Sequence, residues 1–191
     1  MEIYTSIKKR RSVRTYLDKT IAHRDLIKII EAGHSAPSPA NSQIWRFVII
    51  KDSPKEELSR CCSSQLWMQE APVWIVVCSD NDKLKKEYSK SWKKLSTQSC
   101  AASIQNMLVQ ATSLGLSSCW VSVTNEQKFK HILKIPEDVE LEGIVTLGYS
   151  KERPIEKRKK LEFVTFFESY GNRSRSVSLF PLAKHLKKLI R

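Results

Sequence analysis

Apolar positions recur along the chain with two alternating periods. Ile3 and Ile7 stand four apart, giving one helical face within residues 2–10. Leu26, Ile29 and Ile30 form a stripe that predicts a second helix over residues 23–32, with Gly33 as its C-terminal stop. Phe47-Val48-Ile49-Ile50 predicts a buried strand. Ser53-Pro54-Lys55-Glu56 opens the next helix, with a hydroxyl at the cap, Pro in the first turn and Glu three residues after the Ser. Residues 73–78 form a second apolar run and a second strand, whereas residues 81–95 are charged, with little apolar pattern, and predict a solvated helix or an excursion.

The strongest helical pattern covers residues 97–114. Ala101, Ala102, Ile104, Met107, Leu108, Ala111 and Leu114 occupy more than one face, which predicts deep burial, and Gly115 ends the helix. Residues 118–123 predict a strand, and Asn125 caps a short helix carrying Phe129, Ile132 and Leu133 that Pro136 closes. A last strand over residues 141–147 ends at Gly148-Tyr149. Residues 150–178 are polar and basic, and residues 182–190 predict a short basic amphipathic helix with Leu182, Leu186, Leu189 and Ile190 on one stripe. Helices and strands alternate without an internal repeat, which predicts an α/β or α+β sheet flanked by helices.

A chain of 191 residues, 41% hydrophobic, fits one domain with a real core, or one domain with an arm. No apolar run approaches the roughly 18 residues that a membrane-spanning helix needs. The first residues carry no apolar signal core, so a cytoplasmic location is expected. The five cysteines (61, 62, 78, 100 and 119) are odd in number and make no C-x-x-C; the reading is of reduced thiols, three of them in apolar runs. The net charge of +13 is uneven: residues 151–191 hold twelve Lys or Arg against four Glu. Such a balance attracts nucleic acid, and equally a small phosphorylated cofactor.

No dinucleotide-binding glycine pattern, Walker loop, H-E-x-x-H or G-x-S-x-G occurs, and the histidines at 23, 34, 131 and 185 have no metal-ligand spacing. Two segments carry candidate chemistry. Arg10-Arg11-Ser12-Val13-Arg14 gathers three guanidiniums and a hydroxyl, donors that suit a phosphate. Pro37-Ser38-Pro39-Ala40-Asn41-Ser42-Gln43 is a loop by composition; Asn41 and Gln43, two apart on an extended chain, would point the same way and offer two amides to one edge of a planar heterocycle.

Together and in this order these segments resemble the nitroreductase family. Arg10, Arg11, Ser12 and Arg14 meet its R-R-S-x-R motif; Pro37, Ser38, Asn41, Gln43 and Trp45 meet a P-S-x-x-N-x-Q-x-W loop. Gly115, Leu116, Ser118, Cys119 and Trp120 meet a G-L-x-S-C-W turn, and Gly148, Tyr149 and Arg158 meet a G-Y dipeptide followed by a basic stretch with a phosphate-binding Arg. The resemblance implies an α+β three-layer sandwich, a central, mainly antiparallel sheet flanked by helices, in an obligate homodimer with two FMN sites at its interface. It implies that residues 1–165 form the FMN-binding domain. Residues 166–191 are a basic arm whose stripe over residues 182–190 wants a surface and is expected to dock on the partner subunit, although the same spacing with Lys184, Lys187 and Lys188 also fits a helix lying on a membrane surface. Arg10, Arg11, Ser12, Arg14 and Arg158 would hold the FMN phosphate and ribityl chain, while Pro37, Ser38, Asn41 and Gln43 border the isoalloxazine, some from the partner. Ser122 stands where the family often has Gly, Ile44 where a Pro commonly follows the Gln, and Glu156 where a Lys is often found.

The implied activity is an oxidoreductase passing electrons from NADH or NADPH to a small organic acceptor, such as a nitroaromatic or quinone, in a ping-pong cycle. The flavin carries the chemistry, so no catalytic side chain and no metal is assigned. Two rival readings differ in class. One is a flavin-binding or sensing protein on the same fold, which NAD(P)H turnover would distinguish. The other is a nucleic-acid-binding domain, which wants aromatics interleaved with basic residues on a surface; Trp45, Trp74 and Trp120 lie in or beside predicted strands, where core is the plainer reading.

Overall fold

Strand β2, Val73–Ser79, is buried at every position, and its alternating side chains enter two different cores. Val73, Ile75 and Val77 pack with Leu26, Ile29, Ile104, Met107 and Leu108 on one face of the sheet. Trp74, Val76 and Cys78 pack with Leu58, Met68, Phe129 and Ile144 on the other. A strand covered on both faces has no polar alternation to show, which is why the sequence here reads as an unbroken apolar run. The computed structural model describes residues 2–52, 54–152, 154–155 and 157–172. The expected Ser53 cap and the expected basic helix over residues 182–190 lie outside the described residues.

The chain forms two compact units, Met1–Pro154 and Ile155–Arg191. The first contains helices α1 (Ile3–Lys9), α2 (His23–His34), α3 (Lys55–Arg60), α4 (Asp82–Glu87), α5 (Trp92–Ser113) and α6 (Glu126–Leu133). Its strands are β1 (Trp45–Ile50), β2, β3 (Ser117–Val121) and β4 (Glu140–Gly148), in the order β1-β2-β4-β3 with every neighbour antiparallel. Residues of α2 and α5 belong to one core and residues of α3 and α6 to the other, giving a three-layer α+β sandwich. Among the described residues of the second unit, a 3-10 turn, Leu161–Phe163, is followed by the tilted ring pair Phe166 and Tyr170.

Three expectations are corrected. Gly33 does not stop α2, which runs on to His34. A Cβ at Gly33 would stand 2.3 Å from Met107 Cε and 3.0 Å from Ser103 Oγ, so the glycine is there to let α2 and α5 approach closely. Helix α5 begins at Trp92, inside the stretch read as charged and solvated, because Trp92 and Leu95 pack on the core beside Tyr88. Trp120 is not core: it is 41% exposed, on the edge strand β3, and its indole covers Gly143, where a Cβ would meet Nε1 at 2.4 Å. Gly115 does terminate α5, with φ +78° and with Leu116 N–H donating back to the Ala111 carbonyl. Asn125 caps α6 by accepting from Lys128 N–H at 3.1 Å.

Candidate functional site

The basic segment after α1 has no regular structure of its own and is pinned to the sheet. Val13 N–H donates to the Ser118 carbonyl at 3.1 Å, and Ser12 bridges to Ser118 at the start of β3. The Tyr16 hydroxyl donates to the Val13 carbonyl at 2.9 Å and lies 2.7 Å from Thr146 Oγ1 on β4. Tyr16 N–H donates to Glu70 Oε2, and Leu17 N–H donates to the Tyr149 carbonyl. Gly148 pairs with Ser117, and a Cβ on it would stand 2.6 Å from the Tyr16 ring and 2.8 Å from Pro72 Cδ. Three of the sequence motifs are thereby brought to one corner of the sheet: the arginine segment, the start of β3 and the Gly148-Tyr149 end of β4.

The three arginines of that segment are not equivalent. Arg11 turns back on its own chain, donating from Nη1 to the carbonyls of Lys8 (2.6 Å) and Arg10 (2.8 Å) and from Nε to that of Pro154 (3.1 Å). Its guanidinium caps the end of α1 and is largely spent. No hydrogen bond or ion pair engages the Arg10 or Arg14 side chains among the described residues; the Arg14 guanidinium lies 5.9 Å over the Trp67 ring.

The second loop is not extended as its sequence suggested. Pro39–Asn41 form a 3-10 turn, and Ala40, Asn41 and Gln43 all have φ near +50°. Three non-glycine residues in the left-handed region within four positions constitute stored strain of the kind found at ligand sites. Local hydrogen bonds hold it: Gln43 N–H donates to Ser38 Oγ at 3.0 Å, and Gln43 Nε2 donates to Asn41 Oδ1 at 2.9 Å. The two amides do sit together, through the turn rather than through an extended chain. Trp45 Nε1 donates to His34 Nδ1 at 3.1 Å and ties the loop's two ends.

These two constellations occupy diagonally opposite corners. Trp45 pairs with Ser79, and Ser79 with Glu140, at one end of the sheet; Ser117 pairs with Gly148 at the other. The length of β4 and three strand spacings separate Trp45 from Ser117 by about 30 Å. Within one chain the arginine segment and the Asn41–Gln43 pair therefore do not form one pocket. Ser122 is exposed just past the far end of β3, away from Ser12, and Pro37 is exposed ahead of the loop. Arg158 is exposed in the second unit.

The sequence did not single out Tyr16, and it named Ser118 only as part of the turn that leads into β3. Ser118 Oγ and Ser42 Oγ are buried without a hydrogen-bond partner among the described residues, one at each corner. Burial raises the Tyr16 hydroxyl well above the usual phenol range, although Thr146 works against it, so Tyr16 stays a donor at working pH. All five cysteines are buried thiols, and none forms a disulfide. Burial pushes Cys62 up to about 12 and Cys78 up to about 11, and it raises Cys61 and Cys100 as well. The adjacent Cys61-Cys62 pair is therefore protonated at neutral pH and lacks the thiolate that a redox nucleophile needs. Among the described residues no cluster of three metal-ligating side chains occurs, and no helix is long and apolar enough to cross a membrane.

The nitroreductase family model matches residues 7–66 and 54–149, which together cover most of the first unit. The chain belongs to the nitroreductase family. Within that family it is 36% identical over 155 residues to an Archaeoglobus fulgidus protein named as an NADH dehydrogenase/NAD(P)H nitroreductase, an alignment covering 78% of this chain and 84% of that one. It is 29% identical over 194 residues to the FMN reductase [NAD(P)H] of Bacillus subtilis, covering 93% of this chain and 78% of that one. Among solved structures, the FMN-dependent nitroreductase of Clostridium difficile superposes with a TM-score of 0.74 at 26% identity, over 86% of this chain and 98% of that one. For this nitroreductase-family chain the motif residues that lie in the first unit fall at the two corners of the sheet.

Proposed function

We propose that this chain is an FMN-dependent oxidoreductase that carries electrons from NADH or NADPH to a small organic acceptor, a nitroaromatic, a quinone or a similar compound, in a ping-pong cycle. The observation that carries the reading is the pair of polar half-sites at opposite corners of one sheet. A single mononucleotide does not span them, but two copies of the chain related by a two-fold axis would bring the corner of one against the opposite corner of the other. The reading is thus of a homodimer with two sites, each completed by its partner.

The residues present fit such a cofactor. Arg10 and Arg14 have unspent guanidiniums beside Ser12, donors suited to a phosphate, and Arg158 joins them in this reading. Arg11 holds the turn rather than the phosphate. Ser38, Asn41 and Gln43 form a strained, hydrogen-bonded ledge suited to the edge of a planar ring system, with Pro37 entering it and Ser122 at the same end of the sheet. Gly148 makes room for the Tyr16 ring. FMN bound there supplies the redox chemistry, taking two electrons from the nicotinamide and giving them to the acceptor. The protein's part is to bind, orient and exclude water, so no side-chain acid or base is assigned. The relatives named for NAD(P)H and FMN support the donor and the cofactor. The cytoplasm, where reduced nicotinamides are held, is the location that goes with this reading.

FMN rather than FAD follows from a phosphate site built of side-chain arginines with no dinucleotide glycine pattern. Heat-released flavin, run beside standards, is expected to comigrate with FMN. Comigration with FAD, or failure of the protein to take up added FMN, would overturn the assignment.

A further inference from the structure

The arginine segment is an irregular stretch whose donors must nonetheless meet an anion in one geometry. Its backbone is clamped at Val13, where both polar groups are used: the N–H on Ser118 of β3, and the carbonyl by the Tyr16 hydroxyl. The carbonyl of Val13 and the N–H of Arg14 belong to one planar, trans peptide unit, so they point in opposite directions. With the carbonyl turned toward Tyr16 and Thr146 of β4, the Arg14 N–H is turned away from them. That N–H has no hydrogen-bond partner among the described residues.

We propose that Tyr16 is the positioning residue of the anion site: its hydroxyl locks the Val13–Arg14 peptide so that the Arg14 N–H and side chain, next to Ser12, meet the phosphate of the bound flavin. The inference rests on the reading of the site as an FMN site. The phenol is itself aimed by β4: with its own hydrogen on the Val13 carbonyl, its oxygen accepts from Thr146 Oγ1, 2.7 Å away. Its ring is fixed by contact with Gly148, where no side chain intervenes. Burial keeps the hydroxyl protonated, so the lock does not open with pH in the neutral range.

The role is separable from general support of the fold, because it concerns the phosphate alone. Full-length apoprotein is titrated with FMN and with riboflavin, which lacks the phosphate, and binding is followed by quenching of flavin fluorescence. The parent is expected to bind FMN more tightly than riboflavin. Tyr16→Phe keeps the ring and removes the hydroxyl; it is expected to weaken FMN binding by about three- to tenfold, the loss of one hydrogen bond, and to leave riboflavin binding unchanged. Thr146→Val is expected to act in the same direction, and it carries the test if Tyr16→Phe does not fold. Equal weakening of both ligands, or FMN affinity unchanged in the variants, would overturn the proposal. A parent that does not distinguish FMN from riboflavin would instead overturn the FMN reading beneath it.

Discussion

The Trp45 indole donates to His34 Nδ1 at 3.1 Å, joining the last residue of α2 to the first residue of β1 across the loop that carries Ser38, Asn41 and Gln43. The rings meet edge to face, with centroids 6.1 Å apart. This contact closes the base of the strained loop. Trp45 is buried, so its N–H left alone costs more than the bond is worth. His34→Ala is expected to destabilise the protein by about 1–3 kcal/mol in denaturant unfolding, whereas Trp45→Phe, which removes the donor as well, should cost less through that bond than His34→Ala does. Two variants of unchanged midpoint would show that the contact does not hold the loop.

The arginines are expected to separate into two classes. Arg14→Ala and Arg158→Ala should each weaken FMN binding by about ten- to a hundredfold, the loss of a charge-assisted contact of roughly 1.5–3 kcal/mol. Arg11→Ala removes two carbonyl contacts at the end of α1 and a third to Pro154, and should lower the unfolding midpoint more than either. Fluorescence titration and thermal melts on the three variants read the two effects independently. Unaltered FMN affinity in both Arg14→Ala and Arg158→Ala would remove the phosphate assignment.

A site made of two chains predicts complementation. Arg14→Ala spoils one half-site, and Asn41→Ala with Gln43→Ala spoils the other. Each variant alone is expected to bind FMN poorly. Subunits mixed through denaturation and refolding form some hybrids with one wholly intact site, so up to half the sites of each hybrid regain parental affinity. Light scattering should give about 44 kDa, twice the chain mass of 22.0 kDa. A flavin-replete monomer, or hybrids with no recovery, would contradict the shared site.

The buried thiols set a limit on alkaline stability. In the unfolded chain they ionise near their ordinary value of 9.0, whereas in the fold Cys78 is held up to about 11 and Cys62 to about 12. A raised folded-state value stabilises fully below pH 9 and is lost as pH rises toward 11 to 12, because only the unfolded chain gains by releasing protons there. Unfolding free energy is therefore expected to fall above pH 9, and native protein at pH 8 should react slowly with a thiol reagent that titrates all five cysteines once denaturant is added. Fast native labelling of Cys61 or Cys62 would show that the pair is more open than its burial indicates.

How much of this was legible in the residues depends on the range of the interaction. Strands β1 to β4 and the ends of α5 and α6 follow from local signals: apolar runs, Gly115 at positive φ and the Asn125 cap. Gly33 misled because its reason is not local. A glycine reads as a helix stop until Met107, far away in sequence, is seen to need the space. Trp120 misled for the same kind of reason, since a tryptophan in a strand looks like core unless the strand is known to be an edge. The site motifs were visible as motifs, but their sorting was not. That Arg11 serves the backbone while Arg10 and Arg14 remain available, and that Tyr16 closes the turn, depends on contacts with Pro154, Ser118 and Thr146 that no spacing encodes.

Electron flow from a reduced nicotinamide through a bound flavin is the activity on which the functional reading stands. Full-length protein reconstituted with FMN and freed of excess flavin is made anaerobic, and NADH or NADPH is added while the visible flavin band is recorded. The band is expected to bleach with at least one of the two donors and to return when a quinone or nitroaromatic is then supplied. A protein that holds FMN but bleaches with neither donor would be a flavin-binding protein without this activity, and that result would contradict its assignment as an oxidoreductase.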